Sequence, residues 1–161
     1  MLPSHEQVWR ELATIPDPEI PAISIVDLGI VRDVQVDGGA VRISITPTYS
    51  GCPAMRLIED QIKELLTQDG FSCIEVKTVY APAWTTDWLS PDAKQRLKAS
   101  GIAPPQPATE LVAGPKRRQP LACPFCDSTQ TELRSEFGPT ACKAIYFCNS
   151  CRQPFEHFKN F

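Results

Sequence analysis

Val41-Arg42-Ile43-Ser44-Ile45-Thr46-Pro47-Thr48-Tyr49-Ser50-Gly51-Cys52-Pro53-Ala54, residues 41–54, reads as a strand, a loop and the start of a helix. Val41, Ile43 and Ile45 alternate with Arg42, Ser44 and Thr46, as in a strand buried on one face. Pro53 suits the first helical position, where its missing N–H costs nothing. Ala54, Ile58, Ile62 and Leu65 continue as the apolar stripe of that helix, and Gly70 is a good stop.

Working outward, Ile30 to Val36 reads as a preceding strand joined by a hairpin turn at Asp37-Gly38-Gly39. Upstream, Ser4 with Gln7 resembles a capping box, and Val8, Leu12 and Ile15 lie on one helical face before Pro16 and Pro18 end it. Downstream, Cys73 to Val79 is a third strand, and Ser90-Pro91-Asp92 opens a helix that Gly101 closes. The order α-β-β-α-β-α predicts a small α/β domain over residues 1–101. Residues 102–121 carry Pro104, Pro105, Pro107, Pro115 and Pro120 without apolar periodicity, so an extended linker is expected there.

Composition narrows the classes. A net charge of −3 and a pI near 5.4 argue against a general nucleic-acid binder. Lys116-Arg117-Arg118 reads as a solvated run in the linker. The N-terminus lacks the apolar run of a signal peptide, and no stretch approaches the roughly 20 apolar residues of a membrane span, so the cytoplasm is the expected compartment. The 161 residues include seven cysteines, an odd number, which in a reducing compartment favours metal or thiol chemistry over disulfides.

Residues 122–161 contain Cys123-Pro124-Phe125-Cys126 and Cys148-Asn149-Ser150-Cys151. Two residues between cysteines let both sulfurs face one ion from a tight turn, and two such turns complete the tetrahedron that zinc prefers. A zinc-ribbon-like module on Cys123, Cys126, Cys148 and Cys151 is expected, with an iron–sulfur cluster on the same thiolates as the rival. Cys142 is an alternate ligand or a buried small hydrophobe, and His157 reads as a surface residue.

The N-terminal part offers a second constellation. Asp17-Pro18-Glu19-Ile20-Pro21 is a rigid acidic turn, and Cys52 falls at the expected N-cap, where the helix dipole and unpaired amides would favour a thiolate. That predicts a depressed pKa at Cys52. Asp17 and Glu19 would supply oxygen ligands or a proton acceptor, against the plainer reading that Asp17 caps a turn and Cys52 is buried.

Asp17-Pro18-Glu19-Ile20-Pro21, Val26-Asp27-Leu28-Gly29-Ile30-Val31, Gly51-Cys52-Pro53 and Trp84-Thr85-Thr86-Asp87-Trp88-Leu89 stand in an order that resembles the MIP18 (DUF59) family, whose members act in iron–sulfur protein maturation. The extension, with Phe137-Gly138-Pro139-Thr140-Ala141-Cys142-Lys143 between the cysteine pairs, resembles the PaaD branch, of phenylacetate degradation. The resemblance implies an accessory factor for the multicomponent phenylacetyl-CoA epoxidase, assisting iron or iron–sulfur maturation of its oxygenase or reductase. It maps a metal-transfer or client site onto Asp17, Glu19, Thr46, Thr48 and Cys52, with iron or a cluster bound transiently. The alternative it leaves is a structural subunit of the epoxidase. Partners would be those subunits or iron–sulfur assembly proteins, with self-association open. Neither a dinucleotide nor a phosphate loop marks a stand-alone enzyme.

Overall fold

The computed structural model describes residues 1–106 and 120–160. Most of the expected linker, Lys116-Arg117-Arg118 included, lies outside them. The chain divides into two compact units, Met1–Leu89 and Ser90–Phe161.

The first unit is mixed α/β. Helix α1 (His5–Leu12) starts at the expected capping box: the Ser4 N–H donates to Gln7 Oε1 at 2.7 Å and Ser4 Oγ accepts from the Gln7 N–H. It ends before Ile15, since Pro16 disfavours helical backbone at the residue ahead of it. Strands β1 (Val31–Asp37) and β2 (Ala40–Ile45) form the hairpin, with Asp37 opposite Ala40. Helix α2 (Ala54–Gln68) buries Ala54, Ile58, Ile62 and Leu66. Leu66 takes the place expected of Leu65, which lies half-buried at the margin of the stripe, so the buried face advances four residues at each step. Strand β3 (Cys73–Thr78) then pairs parallel to β2, so the sheet order is β1-β2-β3. Val34, Val41, Ile43 and Ile45 are buried on the helix-covered face. Arg42, Gln35, Asp33 and Glu75 occupy the other, joined by Arg42–Glu75 and Gln35–Asp33 contacts.

The 13–30 segment wraps this core with Ile15, Ile20, Ile23, Ile25, Leu28 and Ile30, all buried. It is clamped by the stretch after β3: Trp84 Nε1 donates to the Leu28 carbonyl at 2.8 Å, and the Arg32 guanidinium lies 3.7 Å over the Trp88 ring. Gly29 has φ +78°, and a Cβ there would lie 3.3 Å from Trp88 Cβ, so both backbone and space call for glycine.

The second unit opens with α3 (Pro91–Ala99), capped by Ser90 Oγ on the Ala93 N–H. A four-stranded sheet follows in the order β4-β7-β6-β5, from β4 (Ile102–Ala103), β5 (Thr131–Ser135), β6 (Lys143–Cys148) and β7 (Pro154–Phe158). The division therefore falls after Leu89, not at residue 101. The reason is long-range pairing: Ile102 and Ala103 lie parallel to Glu156 and His157 of β7. No helix among the described residues is long and apolar enough to cross a membrane.

Candidate functional site

Two places hold the cysteines. In the second unit, the Sγ atoms of Cys123, Cys126, Cys148 and Cys151 all lie within 4.8 Å of one another. Cys123 and Cys151 are 3.7 Å apart, Cys126 and Cys148 3.6 Å. Four thiolates at about 2.3 Å from one ion in a tetrahedron stand about 3.8 Å apart, so the group fits a single ion. A multi-iron cluster would splay the thiolates further.

Both turns are built alike. Cys123 N–H donates to the Ser128 carbonyl and Asp127 N–H to the Cys123 carbonyl; Cys148 N–H donates to Gln153 and Arg152 N–H to Cys148. Asp127 and Arg152, each four residues after the leading cysteine, take positive φ of 59° and 64°. Two non-glycine residues in the left-handed region, at equivalent positions, close the two turns in the same way. Backbone amides also turn toward sulfur: Phe125 N–H reaches Cys123 Sγ at 3.4 Å. Cys148 is held low, at about 7, first by the Cys151 N–H and further by that of Ser150. Cys151 is pushed up to about 12 by burial and by its Cys148 and Cys123 neighbours. Amides that already stabilise a thiolate prepare the anionic form that a metal needs. Gly101, at φ +80°, is the site against which the first turn rests; a Cβ there would meet Phe125 Cζ at 2.9 Å.

Cys142 is not part of this cage. It is buried, and its Sγ lies 3.0 Å from Thr140 Oγ1. His157 is no ligand and no surface residue either. It is largely buried against Tyr146, ring centroids 5.6 Å apart, and its Nε2 has no hydrogen-bond partner. Burial, with Lys159 adding to it, pushes the imidazole down to about 4. The unfolded chain binds that proton near pH 6.5 and the folded one only near 4. This residue therefore costs the module stability as pH falls through that window, about 3 kcal/mol in full. An NMR titration of His157 is expected to show a midpoint near 4, and one above 6 would contradict its burial.

In the first unit, β2 runs into Thr46 and Thr48, both buried, and on to Cys52. Thr46 N–H is anchored on the Ile30 carbonyl at 2.9 Å. Asp17, also buried, accepts from the Glu19 and Ile20 amides at 2.9 and 2.8 Å, so its carboxylate caps the acidic turn. The turn and the loop meet at Cys52, where the charges of Glu19 and Asp17 both act on the thiol.

Two sequence expectations change here. The N-cap of α2 is Pro53, and Cys52 precedes it. The Cys52 thiol is pushed up, not down: burial is the largest cause, with Glu19 and Asp17 adding to it against hydrogen bonds from the Ala54 amide and Tyr49. The helix start does favour the thiolate, through Ala54, but desolvation and two carboxylates outweigh it. No signal in the sequence marks Tyr49, three residues before Cys52, as a partner of the thiol. Among the described residues the four C-terminal cysteines alone form a group of mutually close ligand atoms, so Cys52, Asp17 and Glu19 do not make a closed cage.

Comparison with known proteins agrees with this two-part build. Residues 5–70 match the iron-sulfur cluster assembly protein family, and residues 107–159 the PaaD zinc beta ribbon domain. A putative 1,2-phenylacetyl-CoA epoxidase subunit of Escherichia coli is 48% identical over 98% of this chain and 93% of its own. The chain belongs to the PaaD family. Beyond PaaD proteins, an Fe-S protein maturation auxiliary factor of Staphylococcus aureus is 41% identical over 52% of this chain and 97% of its own. A DUF59 domain of unknown function from Bacillus anthracis, 33% identical, superposes with a TM-score of 0.54 over 57% of this chain and 89% of that one. Both cover most of their own length but little more than half of this chain, and the cysteine cage lies in the segment that matches the PaaD ribbon.

The raised thiol makes a direct expectation. Alkylation followed by mass spectrometry should label exposed Cys73 before half-buried Cys52, and Cys52 should titrate above the ordinary cysteine value. Glu19→Gln should bring that value down, because it removes a like charge. A depressed Cys52 pKa would mean that the helix start dominates after all.

Proposed function

We propose that this PaaD-family protein is an accessory factor of a multicomponent phenylacetyl-CoA epoxidase, assisting iron or iron–sulfur loading of its oxygenase or reductase. The observation that carries the reading is the thiol of Cys52 beside Asp17 and Glu19 in a site that is not a closed cage. Like charge and burial keep the thiol protonated when no cation is present. An incoming cation reverses both effects, since its charge favours thiolate and carboxylates together. Such a site takes up a soft cation, releases a proton, and lacks the fourfold enclosure that would retain the cargo. Thr46 and Thr48 shape the strand end beneath it.

The cage of Cys123, Cys126, Cys148 and Cys151 has the opposite character. We assign it to a resident zinc ion, which would supply folding energy and no redox chemistry. The module then serves as a docking element for the client, in the cytoplasm. The name of the Escherichia coli relative favours a second reading, a structural subunit of the epoxidase.

Anaerobic coexpression of the oxygenase and reductase subunits with and without this chain tests the first reading. Client subunits made without it should be deficient in iron or cluster yet present in normal amount. Clients with full metal content that fail only to assemble would select the structural reading.

A further inference from the structure

The two sheets have four edges. β1 is bulged between Val31 and Asp33, β5 is bulged between Leu133 and Ser135, and β4 is two residues long. Bulges and short strands are the usual devices against edge-to-edge association. β3 has neither. It is six residues long, regular in its register with β2, and free of proline.

Its open side can be read from the ladder. Cys73 and Val79 donate their N–H groups to the Gly39 and Ile45 carbonyls. Backbone groups alternate along a strand, so Cys73, Glu75, Lys77 and Val79 face β2, while Ile74, Val76 and Thr78 turn their N–H and C=O groups outward. Among the described residues no backbone group pairs with those three on the outer side. Their side chains are half-buried, as expected of a core face that lacks its next strand.

We infer that this edge pairs with β3 of a second copy of the chain, antiparallel, about a two-fold axis through Val76. Only Ile74, Val76 and Thr78 can form hydrogen-bonded pairs, and the central one is Val76. With Val76 opposite its own copy, Ile74 faces Thr78 of the other strand, and all three outward positions are satisfied in each copy. The intervening close pairs are then Glu75 opposite Lys77, twice by symmetry. Centring the axis anywhere else loses hydrogen-bonded pairs or sets like against like. Charges on an edge strand normally repel a second copy; here their order selects one register. The result is a continuous six-stranded sheet. Because β2 and β3 are parallel, the Cys52 loops, which follow the C-terminal end of β2, lie at opposite ends of it and remain separately accessible to clients.

Sedimentation equilibrium of the full chain tests this. The wild type should be a dimer in reversible equilibrium with monomer. K77E and E75K should each weaken dimerisation by about tenfold or more, since two attractive pairs become repulsive. An equimolar mixture of the two variants should recover the dimer, because one then presents two acids and the other two bases. Hydrogen exchange supplies a second readout. The amides of Ile74, Val76 and Thr78, which lack partners within the described chain, should be protected in the wild type and exchange freely in K77E. A wild type that stays monomeric at every concentration overturns the inference. So does a dimer unmoved by K77E, or a mixture that fails to recover it. E75K also breaks the 2.6 Å contact with Arg42, whereas K77E leaves that contact in place, so K77E decides if E75K fails to fold.

Discussion

Replacing Cys148 with serine is expected to abolish metal retention by the second unit and to unfold it, leaving Met1–Leu89 folded. Cys148 and Cys123 are fully buried and do two things at once: they hold the cage and form the local core with Ala103, Leu121 and Phe155. That core is too small to stabilise a module of this length alone. Structural zinc supplies about 10–16 kcal/mol of apparent binding energy in modules of this kind, more than the whole stability of a small domain. A serine hydroxyl does not deprotonate to replace the lost thiolate, so most of that energy disappears. Metal analysis should fall from one equivalent to none. Hydrogen exchange should rise throughout β5, β6 and β7 while β1, β2 and β3 stay protected. Chelation of the wild type should reproduce the pattern. One bound zinc in the variant, or a second unit that stays folded in chelator, would refute a metal-dependent module.

Cys52→Ser is expected to leave both units folded and to abolish phenylacetyl-CoA epoxidation in the reconstituted pathway. The change is nearly isosteric and breaks no core contact, since Cys52 is half-buried at the mouth of the loop. What it removes is the soft ligand: a hydroxyl neither ionises in this range nor binds iron as a thiolate does. Client protein should accumulate normally but lack iron or cluster. Asp17→Asn offers a graded comparison, because the amide oxygen can still cap Glu19 and Ile20 while the charge facing Cys52 is lost. Its activity should fall with less effect on folding than Asp17→Ala. Full activity and full client metal with Cys52→Ser would rule out transfer through this thiol and leave the structural-subunit reading.

The alkylation experiment bears on the same site from a different direction. A nucleophilic cysteine needs a thiolate at rest, and the surroundings of Cys52 oppose one. A cation-receiving cysteine does not, since the cation itself displaces the proton. A Cys52 that titrates high in that experiment would count against covalent catalysis there.

What the sequence determined by itself was local. The Ser4–Gln7 cap, the turn at Asp37-Gly38-Gly39, the start of α3 at Ser90 and the two Cys-x-x-Cys turns each depend on residues within about five positions, whose backbone preferences survive in any fold. The cysteine spacing even carried the composition of the cage, because tetrahedral closure needs two such turns. The tertiary structure decided whatever depends on distant residues. Cys52 acquires its raised pKa from burial and from carboxylates at Glu19 and Asp17, far back in the chain. His157 is pushed toward the neutral form by burial and by Lys159, and Cys142 is held outside the cage at Thr140. The unit boundary moved to Leu89 because Ile102 and Ala103 pair with β7. Burial and field are sums over neighbours in space, and a spacing pattern contains no record of which neighbours the fold will bring.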